Sequence, residues 1–191
     1  VMSKNVVVFL FSLYSRGGLE KVTNVLAKEL VTRGYHVVYA INAIDEKQEV
    51  FPEKVEVAIF GDYLAPTERR LLAFIRTFLR ARSNLVRIKK TYPNAVYVSV
   101  SSMYSGWTAL RSKARPLFVW IHGPVKEVFA SSEKWIINKQ LFLLADKVIV
   151  LSENMRNEIG HVLGEGLLHK TLVIPNPVST ITMEGLHSHG I

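Results

Sequence analysis

Residues 5 to 12, NVVVFLFS, are a run of β-branched and other apolar residues without polar alternation. Such a run predicts a strand buried on both faces, as in a parallel sheet. From Leu19 to Arg33 the period changes. Leu19, Val22, Val25, Leu26 and Leu30 recur every three or four residues, which places them on one side of a helix that Gly34 ends. A second strand is predicted over 35 to 42, YHVVYAIN, and a third over 55 to 60, VEVAIF. Pro66 and Thr67 open a long helix with Thr67 as N-cap, and Pro93 lies beyond its end.

The second half repeats this grammar. Strands are predicted over 95 to 101, 116 to 122, 147 to 152 and 171 to 175. Helices are predicted over Met103 to Lys113, Val125 to Ala145 and Glu153 to Leu163, the last capped by Ser152. Seven strands alternating with helices predict a doubly wound, Rossmann-like parallel α/β sheet, because parallel neighbours need crossover connections that cover both faces. One domain over residues 2 to 177 is expected, with Val1 set aside as a remnant ahead of Met2. Residues 178 to 191 follow the Pro175-Asn176-Pro177 breaker without periodicity, as either a linker toward a further domain or a frayed terminus does.

Composition narrows the class. Of 191 residues 49% are hydrophobic and 21% charged, which excludes a disordered chain. The absence of cysteine removes disulfides, thiolate metal sites and cysteine nucleophiles together. No apolar run approaches the roughly 18 residues of a membrane span, and no secretory signal opens the chain, so a cytoplasmic protein is expected. The net charge of +8 is localised. Between Arg69 and Lys90 stand eight basic residues, Arg76, Arg80 and Arg87 among them, and no acidic one. Without those eight, the 24 Lys and Arg of the chain fall to 16, the number of its Asp and Glu. Nucleic-acid binders spread basic groups over several elements, so no nucleic-acid partner is expected. The segment is either a core helix with a solvated basic face or a surface that attaches to anionic lipid; RNA binding, the third option, lacks the aromatic-basic interleaving on strands of stacking modules.

Ligands of open α/β sheets bind beyond the carboxyl ends of the strands. Arg16 to Gly18, Asn42, Ser101 to Ser105, His122 with Gly123, and Ser152 are predicted there. Gly17 and Gly18 serve either as a plain turn or as a phosphate- or sugar-facing turn, where the lack of Cβ lets a ligand approach the helix amides. The spacing Arg16-Gly17-Gly18-Leu19-Glu20 is not the G-x-G-x-x-G dinucleotide fingerprint, and no acidic residue ends the second strand to hold a ribose. His122 closes an apolar strand and can hydrogen-bond a sugar hydroxyl or a phosphate oxygen; a structural histidine is the alternative. No metal-ligand spacing and no nucleophile elbow occur, so neither metal nor cofactor is expected.

Four segments, RGGLEKVTNVLAKELVTRGYHVVYA at 16 to 40, WIHGP at 120 to 124, ADKVIVLSENMRNEI at 145 to 159 and KTLVIPNPV at 170 to 178, resemble the stations of glycosyltransferase family 4, the retaining GT-B enzymes. The resemblance covers residues 5 to 178 and implies the N-terminal, acceptor-side half of a two-domain transferase. A C-terminal GT-B domain as partner would hold most of a nucleotide-diphosphate sugar, the substrate. By the same resemblance His122 would bind the sugar at the reacting centre, as the catalytic residue. Gly17, Gly18 and Ser152 would face the donor, while Arg16, Ser102, Tyr104 and Gly123 would face a glycan or lipid-linked acceptor. Asn176 would sit at the hinge, with Ser179 where many members have Asp. Family members often build lipopolysaccharide or other surface polysaccharide at the inner membrane face, which accords with a membrane-surface role for Arg76, Arg80 and Arg87. Transfer would proceed with retention, without a protein nucleophile, and this half alone would be inactive. The alternative is a stand-alone Rossmann-like module that binds a nucleotide or an anionic lipid headgroup without catalysis.

Overall fold

The computed structural model describes residues 5–10, 18–41, 52–59, 83, 86–100, 115–130 and 132–176. Its strands are β1 (Asn5–Leu10), β2 (His36–Ile41), β3 (Val55–Ile59), β4 (Val96–Val100), β5 (Leu117–Trp120), β6 (Lys147–Val150) and β7 (Thr171–Val173). Its helices are α1 (Gly18–Thr32), α2 (Val125–Val128), α3 (Ser132–Leu144) and α4 (Glu153–Leu163), with a 3-10 helix over Glu165–Lys170 and helical turns over 86–91. All seven strands form one parallel sheet in the order β3-β2-β1-β4-β5-β6-β7.

That order decides where the helices lie. From β1 to β3 the chain steps one way along the sheet, and from β4 to β7 it steps the other way. Right-handed crossovers therefore put α1 on one face and α3 and α4 on the opposite face. The two core clusters divide accordingly. Val6, Val8, Val37, Tyr39, Val98 and Trp120 pack with Ala27 and Leu30 of α1. Val7, Phe9, Tyr97, Leu117, Val119 and Val148 pack with Ile88, with Leu141 and Phe142 of α3, and with Ile159 of α4. Burying each large apolar side chain stabilises the fold by about 1.5–3 kcal/mol, and the strands, apolar on both faces, fit this double coverage.

Three local devices fix the helices to the sheet. The fully buried Tyr39 brings its hydroxyl within 2.9 Å of Asn24 Oδ1 and 3.1 Å of the Thr23 carbonyl, which holds α1 over β2. Gly34, at φ 81°, adopts the left-handed turn that returns the chain from α1 into β2. At the amino ends of β5 and β6, Asp146 accepts from the Leu117 amide at 2.7 Å and pairs with Arg115 at 3.1 Å. Arg115 also donates to the Leu144 carbonyl. Lys170 donates to the carbonyls of Leu143 at 2.7 Å and Ala145 at 2.9 Å. The carbonyls left open at the end of α3 are thus held by two cations.

Three expectations need correction. The fifth strand ends at Trp120, and although the Ile121 amide still bonds the Ile149 carbonyl at 2.9 Å, His122 lies beyond the ladder. The helix expected over Val125 to Ala145 is broken into α2 and α3. Asn138 Nδ2 donates to the Val128 carbonyl at 2.6 Å across that break, satisfying a group a continuous helix would have used itself. The 3-10 helix is an addition, entered through Gly164 at φ 96°. Most of the basic segment, Arg76 and Arg80 included, lies outside the described residues.

Candidate functional site

A doubly wound sheet opens its ligand crevice where the strand order reverses, here between β1 and β4. The segments leaving those strands, 11–17 and 101–114, lie outside the described residues, and with them Arg16, Gly17, Ser102 and Tyr104. The described rim consists of the first turn of α1, the exit of β5 at Ile121 to Gly123, the exit of β6 at Ser152, and the exit of β7 at Asn176.

Gly18 is the first residue of α1 and is exposed. A Cβ built there meets no atom of the described residues within 4 Å. Packing against the described residues therefore does not require glycine at this position. Gly123 is equally open.

Ser152 is the N-cap of α4: its hydroxyl accepts from the Met155 amide at 3.3 Å. The cap uses a lone pair, so the hydroxyl proton stays available at an exposed position beside the helix amino end.

His122 is half-buried two residues past the end of β5, and its Nε2 is enclosed with no hydrogen-bond partner among the described residues. Burial holds the imidazole well below its usual range, at about 4, so the ring is neutral at neutral pH. Its ring centroid lies 4.2 Å from that of Trp120, with the planes 53° apart. Trp120 is 4% exposed, and its indole Nε1 is also enclosed without a partner. In the sequence Trp120 counts only as strand core; the residue that shares a strand end with His122 was the available signal. Asn176, after β7, completes the rim with a buried Oδ1 that likewise lacks a partner among the described residues.

The other described histidines lie away from this rim or are exposed. His36 Nε2 stands 3.2 Å from Glu56 Oε2 at the amino edge, and His161 and His169 are exposed. Arg87 is exposed on the turns over 86–91, whose Ile88 is buried in the core. No described helix is long and apolar enough to cross a membrane.

Residues 16–181 match the family model described as Glycosyltransferase Family 4. No curated protein matches the chain in sequence. Among solved structures, a sucrose-phosphate synthase from Thermosynechococcus elongatus superposes with a TM-score of 0.69 at 15% identity, over 90% of this chain and 47% of that one. Anabaena Alr3699/HepE, in complex with UDP and glucose, gives 0.63 at 16% identity, over 91% and 44%. A UDP-GlcNAc 2-epimerase from Neisseria meningitidis, bound to UDP-GlcNAc, gives 0.56 at 13% identity, over 90% and 46%. The chain thus spans just under half the length of each. The epimerase carries a different chemistry on this fold, so the fold alone does not select a reaction.

Proposed function

The chain belongs to glycosyltransferase family 4, and from that premise we propose that it is the acceptor-side half of a retaining transferase that moves a sugar from a nucleotide-diphosphate donor to a glycan or lipid-linked acceptor in cell-surface polysaccharide synthesis. Its seven-stranded sheet is that of the N-terminal domain of GT-B glycosyltransferases. The observation that carries the proposal is the exit of β5, where a neutral His122 presents an enclosed, unpartnered Nε2 at the carboxyl end of the sheet. A buried polar atom without a partner is costly to hold, and a ligand hydroxyl arriving at that point would satisfy it. The nucleotide sugar or its parts held by two of the similar structures support a donor of that class.

In this reading the chain contributes placement more than bond-making. The amino end of α1 at Gly18 would receive negative charge through its free amides, His122 would orient the sugar, and Ser152 would offer a hydroxyl across the crevice. The other half of the donor site belongs to a further domain, joined beyond the hinge at Asn176. The basic segment would rest on an anionic membrane face, bringing lipid-linked acceptors within reach.

Transfer by the full-length protein is the test, with a panel of nucleotide-diphosphate hexoses and membrane-derived acceptors. The anomeric configuration of the product is read by NMR. His122→Ala should lower turnover at least a hundredfold; undiminished transfer rules out the assigned role. Sedimentation with anionic vesicles, with and without charge reversal at Arg76, Arg80 and Arg87, tests the membrane contact.

A further inference from the structure

Two adjacent rings at the exit of β5 each carry an enclosed polar atom, and the reading above uses only one of them. Trp120 and His122 are two residues apart, and their ring centroids lie 4.2 Å from each other. The indole Nε1 can only donate a hydrogen bond, whereas a neutral imidazole nitrogen can donate or accept according to its tautomer. Neither Trp120 Nε1 nor His122 Nε2 has a partner among the described residues. Tryptophan placed in a core usually satisfies its N–H, so a side chain 96% withdrawn from solvent with that N–H idle is an unfilled position.

We propose that Trp120 is a second sugar-binding residue of the site, its indole N–H donating to the same sugar hydroxyl oxygen whose proton His122 Nε2 accepts. A hydroxyl is the one common group that offers an acceptor and a donor on a single atom, and it carries no charge. The site fits that chemistry better than a phosphate: the imidazole is kept uncharged by burial, and an indole brings no positive charge. Phosphate is left to the helix amides at Gly18. The pair would therefore read the sugar, while the amino end of α1 would meet the diphosphate. This inference rests on the transferase reading and adds to it a second residue and a hydroxyl as the group recognised.

In a ¹⁵N-correlated NMR spectrum of the full-length protein, Trp120→Phe identifies the Trp120 indole N–H resonance by its loss. Addition of a nucleotide-diphosphate hexose such as UDP-glucose should shift the Trp120 indole resonance downfield, whereas UDP alone should leave it in place. By calorimetry, Trp120→Phe should weaken binding of the nucleotide sugar about tenfold and leave UDP affinity unchanged. A deoxy-sugar donor lacking the bound hydroxyl should bind the wild type and Trp120→Phe equally. An indole resonance that ignores the sugar, or equal loss of affinity for UDP and UDP-sugar in Trp120→Phe, overturns the role of Trp120 while leaving the transferase reading intact. If the wild type binds no nucleotide sugar across a panel of bases and hexoses, both readings fall. The NMR arm uses the wild-type fold, so it decides the question even if the variant is unstable.

Discussion

The two ends of β5 are built to opposite rules. At the amino end the Leu117 amide, the Asp146 carboxylate, the Arg115 guanidinium, the Lys170 ammonium and three carbonyls at the close of α3 are bonded to one another. At the carboxyl end, three and five residues beyond Leu117, Trp120 Nε1 and His122 Nε2 are enclosed without partners among the described residues. One strand thus carries a satisfied polar network at the end that docks α3 and an unsatisfied pair at the end that faces the crevice. Satisfied networks add rigidity, and idle buried groups lower stability unless something binds them. The contrast separates residues that hold the sheet from buried polar groups left unsatisfied, which the proposed function assigns to a ligand.

Substitutions can break the contrast at either end. The largest effect should come from Asp146→Ala, which strips the partner from the part-buried Leu117 amide and from Arg115. It should destabilise the domain by about 2 kcal/mol in urea unfolding, with donor binding unchanged. Ser152→Ala removes the N-cap of α4 and should lower stability by about 1 kcal/mol.

At the crevice the sign reverses. His122→Phe replaces an unsatisfied imidazole with an apolar ring and should leave stability equal or raised by up to about 1 kcal/mol, while transfer collapses. The same residue sets a pH dependence. Because burial holds its folded value at about 4, below the 6.5 of the unfolded chain, the unfolded state takes up the proton first. Its contribution is whole above pH 6.5 and is lost as pH falls from 6.5 toward 4. Thermal unfolding across that window should be flatter in His122→Phe than in the wild type. Smallest of all, Gly18→Ala should move stability by a few tenths of a kcal/mol, since the added methyl meets no atom of the described residues. If the α1 amides contact a diphosphate, its Kd for the nucleotide should nevertheless rise.

The seven strands are legible in the sequence because each is a short β-branched run and their order alternates with helical periods. The face that α1 covers follows from Leu26 and Leu30, and the location of His122 follows from the end of an apolar run. What escaped reading has physical causes. The break between α2 and α3 depends on Asn138 reaching back to the Val128 carbonyl, a tertiary bond that no local pattern announces. The 3-10 helix hides behind Gly164 and Gly166, which interrupt any period. Trp120 looks like core because it is core; that its N–H is left idle is a property of the fold around it.

The central place of β1 also governs how the protein is made. β1 pairs with β2, which follows closely, but its other edge belongs to β4, whose first residue is Val96. A ribosome adding about 5–20 residues per second needs roughly 5 to 20 s to travel from one to the other. Throughout that interval Val6 to Phe9 present an open parallel edge in the nascent chain, and the sheet cannot close at its middle until β4, ending at Val100, has been synthesised.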